Sequence, residues 1–197
     1  MTSAAELHAA GLRQLAEGDA AAAERSLAGA VELEPRNPEY RKDQGNALRA
    51  LGRLVEAARA YGRALEADPE YLPGYNNLGV TLLDQGEARQ AEANLRKAHE
   101  LDPADPQILT NLGVAVFRQG RAEEAEDLHR RAVALDPQDA FAWGNLGTAL
   151  QARPGGREGA IECYQRALAI NPGFEQARAA LEACREELER ERGRRYS

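Results

Sequence analysis

The chain has 197 residues and a formal net charge of −7, with 43% hydrophobic and 5% aromatic residues. Abundant Ala, Leu, Glu and Arg with few aromatic residues favour helices over strands. An acidic total argues against a general nucleic-acid surface, which needs clustered Lys and Arg, although it leaves room for a local basic patch. The opening MTSAAELHAAG has neither the charged start nor the apolar stretch of a signal peptide. No apolar run approaches the length that spans a bilayer. The expectation is a cytoplasmic chain without membrane insertion.

In chain order, Ser3-Ala4-Ala5-Glu6 reads as a capping box that starts the first helix. Helix pairs are then predicted over about 4–37, 38–71, 72–105, 106–139 and 140–173. In the third pair, Tyr75, Leu78 and Leu82 fall at i, i+3 and i+7, one apolar stripe. Gly86 ends that helix by left-handed capping. Ala91, Leu95 and Ala98 form the stripe of the next helix, which Asp102-Pro103 stops. The fifth pair carries one extra residue around Arg153-Pro154-Gly155-Gly156. A last helix over about 174–192 keeps Ala177, Leu181, Cys184 and Leu188 on one stripe. It reads as the solvating helix that covers the end of a repeat array. Eleven helices are expected, with 193–197 a frayed tail beyond a single array over 1–192.

The pairs are copies of one unit. Pro35, Pro69, Pro103, Pro137 and Pro172 lie 34, 34, 34 and 35 residues apart. Gly11, Gly45, Gly79, Gly113 and Gly147 recur every 34. Two alanine ladders run beside them, Ala23-57-91-125-160 and Ala30-64-98-132-167. Small residues at fixed places let two helices approach closely while large ones fill the remaining space. One such pair cannot bury its apolar faces alone, but a stack can.

These residues resemble the tetratricopeptide repeat (TPR) family. Trp143, Leu146, Gly147, Ala160, Tyr164, Ala167 and Pro172 match its pattern in the fifth unit. Gly45, Ala57, Tyr61, Ala64 and Pro69 match it in the second. Tyr75, Leu78, Gly79, Ala91, Leu95, Ala98 and Pro103 match it in the third. Arg41 and Leu109 depart from it at the aromatic position, and His129 stands where a bulky apolar residue belongs. The resemblance implies an all-α fold, a right-handed TPR superhelix (an α-solenoid) of five helix-turn-helix repeats plus a C-terminal capping helix. It also implies that the first helix of each pair lines a concave groove.

On that implied face stand Asp43, Asn77, Asn111 and Asn145, one per repeat. An amide donates to a peptide carbonyl and accepts from a peptide N–H. The asparagines resemble the ladder in the TPR region of O-linked N-acetylglucosamine transferases, which holds a substrate backbone. Asn also helps pack neighbouring helices, and both readings stand. Val80, Leu83, Val114 and Phe117, followed by Arg118, line the same implied groove, with Gln107, Thr110 and Phe141 among its further positions. Lys42, Asn46 and Asn77 match three positions of the carboxylate clamp of TPR co-chaperones, but Gln107 and Asn111 stand where that clamp needs cations.

Nothing catalytic is legible. His8, His99 and His129 fall in different repeats without a metal-ligand spacing. Glu126-x-x-His129 lacks the second such pair of a dimetal site, so His129 is expected at the surface or partly packed. Cys163 and Cys184 form no CxxC and read as buried thiols. The expectation is a non-enzymatic adaptor without cofactor or metal, binding a protein or peptide segment and no nucleic acid, a monomer before an oligomer. A self-associating scaffold and a regulatory subunit of an enzyme complex are the alternatives.

Overall fold

The computed structural model describes residues 2–195. Among these there are eleven helices and no strand: α1 (Ala4–Ala16), α2 (Ala20–Leu33), α3 (Pro38–Ala50), α4 (Leu54–Ala67), α5 (Leu72–Asp84), α6 (Ala88–Leu101), α7 (Pro106–Phe117), α8 (Ala122–Leu135), α9 (Ala140–Gln151), α10 (Arg157–Ile170) and α11 (Glu175–Arg195). Of the expected tail, Tyr196 and Ser197 lie outside the described residues, and α11 continues to Arg195.

Helix ends follow local chemistry. Ser3 and Glu6 form the capping box, the Ser3 amide donating to Glu6 Oε2 at 2.8 Å and the Glu6 amide to Ser3 Oγ at 3.2 Å. Asn37, Asp105 and Asp139 cap α3, α7 and α9 by accepting two backbone amides each, which satisfies donors that the helix itself leaves open. The first helix of every pair ends in the same way. Gly18, Gly52, Gly86, Gly120 and Gly155 all have positive φ, between 72° and 83°, where a side chain would be strained. The extra residue of the fifth repeat lies just before Gly155, since that glycine alone breaks the 34-residue interval.

Two compact units result, the first ending at Asp102 and the second beginning at Pro103. In unit 1, α1–α2, α3–α4 and α5–α6 are antiparallel hairpins, with α2 against α3 and α4 against α5. In unit 2, α7–α8 and α9–α10 repeat the arrangement, with α8 against α9 and α11 covering α10.

One packing rule recurs inside every hairpin. All ten ladder alanines are 0% exposed. Each packed glycine of the first helix faces the large residue of the second: Gly11 meets Leu27, Gly45 Tyr61, Gly79 Leu95, Gly113 His129 and Gly147 Tyr164. A methyl on Gly79 would lie 2.5 Å from Leu95 Cγ, and one on Gly45 2.5 Å from the Tyr61 ring. The glycine is therefore a steric requirement of hairpin closure.

The departures from the repeat pattern have physical explanations. Arg41 stands where Trp143 stands in the fifth repeat. Its Nε donates to the Pro35 carbonyl at 2.8 Å, as Trp143 Nε1 donates to Pro137 at 3.1 Å. Arg178 makes the corresponding bond to the Pro172 carbonyl, so in these three places a side-chain N–H meets the oxygen six residues back, whereas Leu109 at the same position is buried as core. His129 corrects the sequence expectation of a surface or partly packed side chain: it is 1% exposed and fills the large-residue position against Gly113. Burial pushes its pKa down to about 4, because a charged imidazole has no water there.

Candidate functional site

The sequence-predicted site residues fall in both units, and the two groups have different surroundings. In unit 1, α1, α3 and α5 bring their polar side chains into one chain of bonds. His8 Nε2 lies 2.8 Å from Asp43 Oδ2. Asp43 Oδ1 accepts from Asn46 Nδ2 at 3.1 Å and pairs with Lys42 at 3.1 Å. Asn46 Oδ1 in turn accepts from the Tyr61 hydroxyl at 2.8 Å and from Asn77 Nδ2 at 3.3 Å. Asp43 is 4% exposed, and its carboxylate is surrounded by partners. With His8, residues Lys42, Asp43, Asn46 and Asn77 thus form an internal network linking three repeats.

Val80 of α5 is half-buried. Leu83, expected in the groove, is 6% exposed and belongs to the interior; α5 packs on α3 and α4, so this helix buries more than the stripe Tyr75, Leu78 and Leu82.

In unit 2 the same repeat positions border open space. Asn111 and Val114 of α7 and Asn145 of α9 line a cleft of about 810 Å³. Gln107 and Thr110 continue its α7 wall, and Phe141 and Asp139 form the start of its α9 wall. Asp136 and Ile170 come from the C-terminal ends of α8 and α10. Phe141 is 59% exposed and rests on Phe174, ring centroids 4.8 Å apart. Phe117 and Arg118 lie farther along α7, the first half-buried and the second exposed. The resemblance implied Asn111, Val114 and Asn145 as groove-facing but gave no weight to Asp136 or Ile170, which lie at the ends of second helices. Only the closing of each hairpin brings those ends beside the first helices.

Glu126 is buried, which raises its pKa, but bonds from Arg153 and Arg130 outweigh burial and hold it low. These pairs occupy the carboxylate that a metal beside His129 would need. Among the described residues, no group of three or more His, Cys, Asp or Glu could hold a metal ion. Cys163 and Cys184 are buried and free, and burial pushes the Cys163 thiol up to about 11, which disfavours a reactive thiolate. Among the described residues no helix is long and apolar enough to cross a membrane. Unit 1 carries the local basic patch: Arg36, Arg41 and Arg63, with Glu66, line a shallow cleft of about 420 Å³.

A stack of helical hairpins closed by glycine-to-large-residue contacts, with polar residues at one repeated position of the first helices, defines a helical-hairpin repeat protein. Family models place it further: one for the tetratricopeptide repeat matches residues 76–140 and another for the TPR repeat matches 45–86. The chain belongs to the tetratricopeptide repeat family. No curated protein matches its sequence.

Solved structures share the fold. MamA from Desulfovibrio magneticus RS-1 (residues 41 to the end) is 23% identical, with a TM-score of 0.77 over 87% of this chain and 96% of that one. TTC0263 of Thermus thermophilus, a thermophilic TPR protein, is 22% identical, with a TM-score of 0.73 over 92% and 98%. YrrB, described as a TPR protein with an unusual peptide-binding site, is 23% identical, with a TM-score of 0.72 over 92% and 93%.

Proposed function

We propose that the chain is a non-enzymatic adaptor that holds an extended peptide segment of a partner protein, with the unit 2 cleft as its seat. The observation that carries this is the meeting of two ladder amides, Asn111 and Asn145, with Val114 and Phe141 in one open cleft. An amide side chain supplies a donor and an acceptor to a peptide backbone, and the apolar residues supply contact for its side chains. Neighbouring packed helices lie about 8–10 Å apart and an extended chain advances about 3.3 Å per residue, so the cleft suits about three residues between α7 and α9. The peptide-binding site described for YrrB supports the reading by analogy of fold.

The test is a panel of peptides selected from a displayed random library on the intact chain, then measured by fluorescence anisotropy. Asn111→Ala with Asn145→Ala is expected to weaken the selected peptides about tenfold or more. Unchanged affinity for every peptide would overturn the proposal. If the partner were instead a second copy of the chain, light scattering would show mass rising with concentration; a monomer throughout is expected.

A further inference from the structure

The unit 2 cleft has a sign as well as a shape. Asp105, Asp136 and Asp139 stand around it, and among the described residues no Lys, Arg or His lines it. The aspartates have local duties that explain their positions. Asp105 Oδ1 accepts the Gln107 and Ile108 amides at 2.7 and 3.3 Å, and Asp139 Oδ1 accepts those of Phe141 and Ala142 at 2.8 and 3.2 Å. Asp136 Oδ1 accepts the Gln138 amide at 2.9 Å. Neutral amides satisfy one oxygen of each group without cancelling its charge. The helix ends do not cancel it either: α7 and α9 point positive N-termini at the cleft, α8 and α10 point negative C-termini, and the two contributions oppose each other. Among the described residues, the three carboxylates thus share the cleft with no cationic side chain in its lining.

A second, independent feature lies in the same cleft. The exposed Phe141 ring, in tilted contact with Phe174, lines the cleft, and an aromatic ring attracts cations through its quadrupole. Val114 and Ile170 supply apolar wall nearby. Gln107 and Asn111 stand where a carboxylate clamp would need basic side chains, so an acidic tail would meet carboxylates and no counter-charge.

We infer that this cleft selects an extended segment carrying a Lys or Arg beside an aliphatic side chain, and rejects acidic segments. The inference rests on the reading of the cleft as a peptide seat and adds the chemistry of the occupant. The cation sits among the carboxylates and the Phe141 face, the aliphatic residue lies towards Val114, and the backbone runs along the amides of Asn111 and Asn145.

A random twelve-residue peptide library is panned on the full chain, and each clone is remeasured by anisotropy on Phe141→Ala/Asn145→Ala. Clones that lose tenfold or more on that double change depend on the cleft, and these are expected to be enriched in Lys and Arg. Asp105→Asn/Asp136→Asn/Asp139→Asn, in which Asn keeps the caps, is expected to weaken them about tenfold. Glu17→Gln/Glu32→Gln/Glu70→Gln makes the same charge change on exposed sites of unit 1 and is expected to change affinity less than twofold. Cleft-dependent clones that are neutral or acidic, or equal losses in both triple variants, would overturn the charge selection and leave the peptide seat standing. If no clone depends on Phe141 and Asn145, the seat and the selection fall together.

Discussion

The two units carry ladder residues at one repeated position and place them in different surroundings. In unit 1 that position is internally committed: Asp43 is held by His8, Lys42 and Asn46, and Asn77 donates to Asn46. In unit 2 it borders space, with Asn111 and Asn145 on the walls of an open cleft. Asn46, three residues after Asp43, joins Asp43, Tyr61 and Asn77 in unit 1, whereas the residue three after Asn111 is Val114, which lines the cleft. The same repeat position is thus tied into a network of side chains in unit 1 and borders an open cleft in unit 2.

If both units share one core rule, its removal should cost them alike. Tyr61→Ala in unit 1 and Tyr164→Ala in unit 2 each empty the place opposite a packed glycine, at a cost of about 3–5 kcal/mol. Urea unfolding followed by circular dichroism reads both, and a loss confined to one unit would break the shared rule.

The next effect belongs to unit 2. His129 has a folded pKa of about 4 against an ordinary value of 6.5. Above 6.5 both states are neutral and the histidine contributes no pH dependence. Between 6.5 and 4 the unfolded chain takes up a proton that the folded chain refuses, so stability falls, and below 4 the loss is complete. That difference corresponds to about 3 kcal/mol. His129→Leu, which restores the residue type of Leu27 and Leu95, is expected to remove this slope. Buried Nδ1 has no hydrogen-bond partner, so the leucine should also be no less stable at pH 7. Unfolding titrations of both proteins from pH 7 to pH 4 give the difference curve, in which the carboxylates common to both cancel.

A smaller effect sharpens the contrast between the ladder positions. Asn46→Ala strips the Tyr61 hydroxyl and the Asn77 amide of their acceptor and is expected to cost about 1–3 kcal/mol. Asn145→Ala removes an amide at the cleft and is expected to stay within about 0.5 kcal/mol. Equal costs would mean that both units use the ladder for structure.

The fold was legible because its demands are written in residue identity. The glycines that meet Leu27 and Tyr61 have no substitute at those distances, the ladder alanines have no room to grow, and both recur in register. Even so, His129 escaped the reading, since the sequence shows a polar residue where only its place in the hairpin makes it core. The site was half legible. The resemblance implied Asn111, Val114 and Asn145, which do line the cleft, but the His8–Asp43 contact joins residues 35 apart, and nothing in either neighbourhood announces the other. Asp136 and Ile170 reach the cleft only through hairpin closure. Leu83 shows the converse: a helical position read as groove-facing is buried once α5 is packed by its neighbours.

The most direct test of the contrast is the affinity of a library-selected peptide for Asn145→Ala and for Asn77→Ala, measured side by side by anisotropy on folded proteins. A loss of about tenfold for Asn145→Ala with less than a twofold change for Asn77→Ala is predicted. The reverse order, or equal losses, would contradict the assignment of binding to unit 2 and of internal support to unit 1.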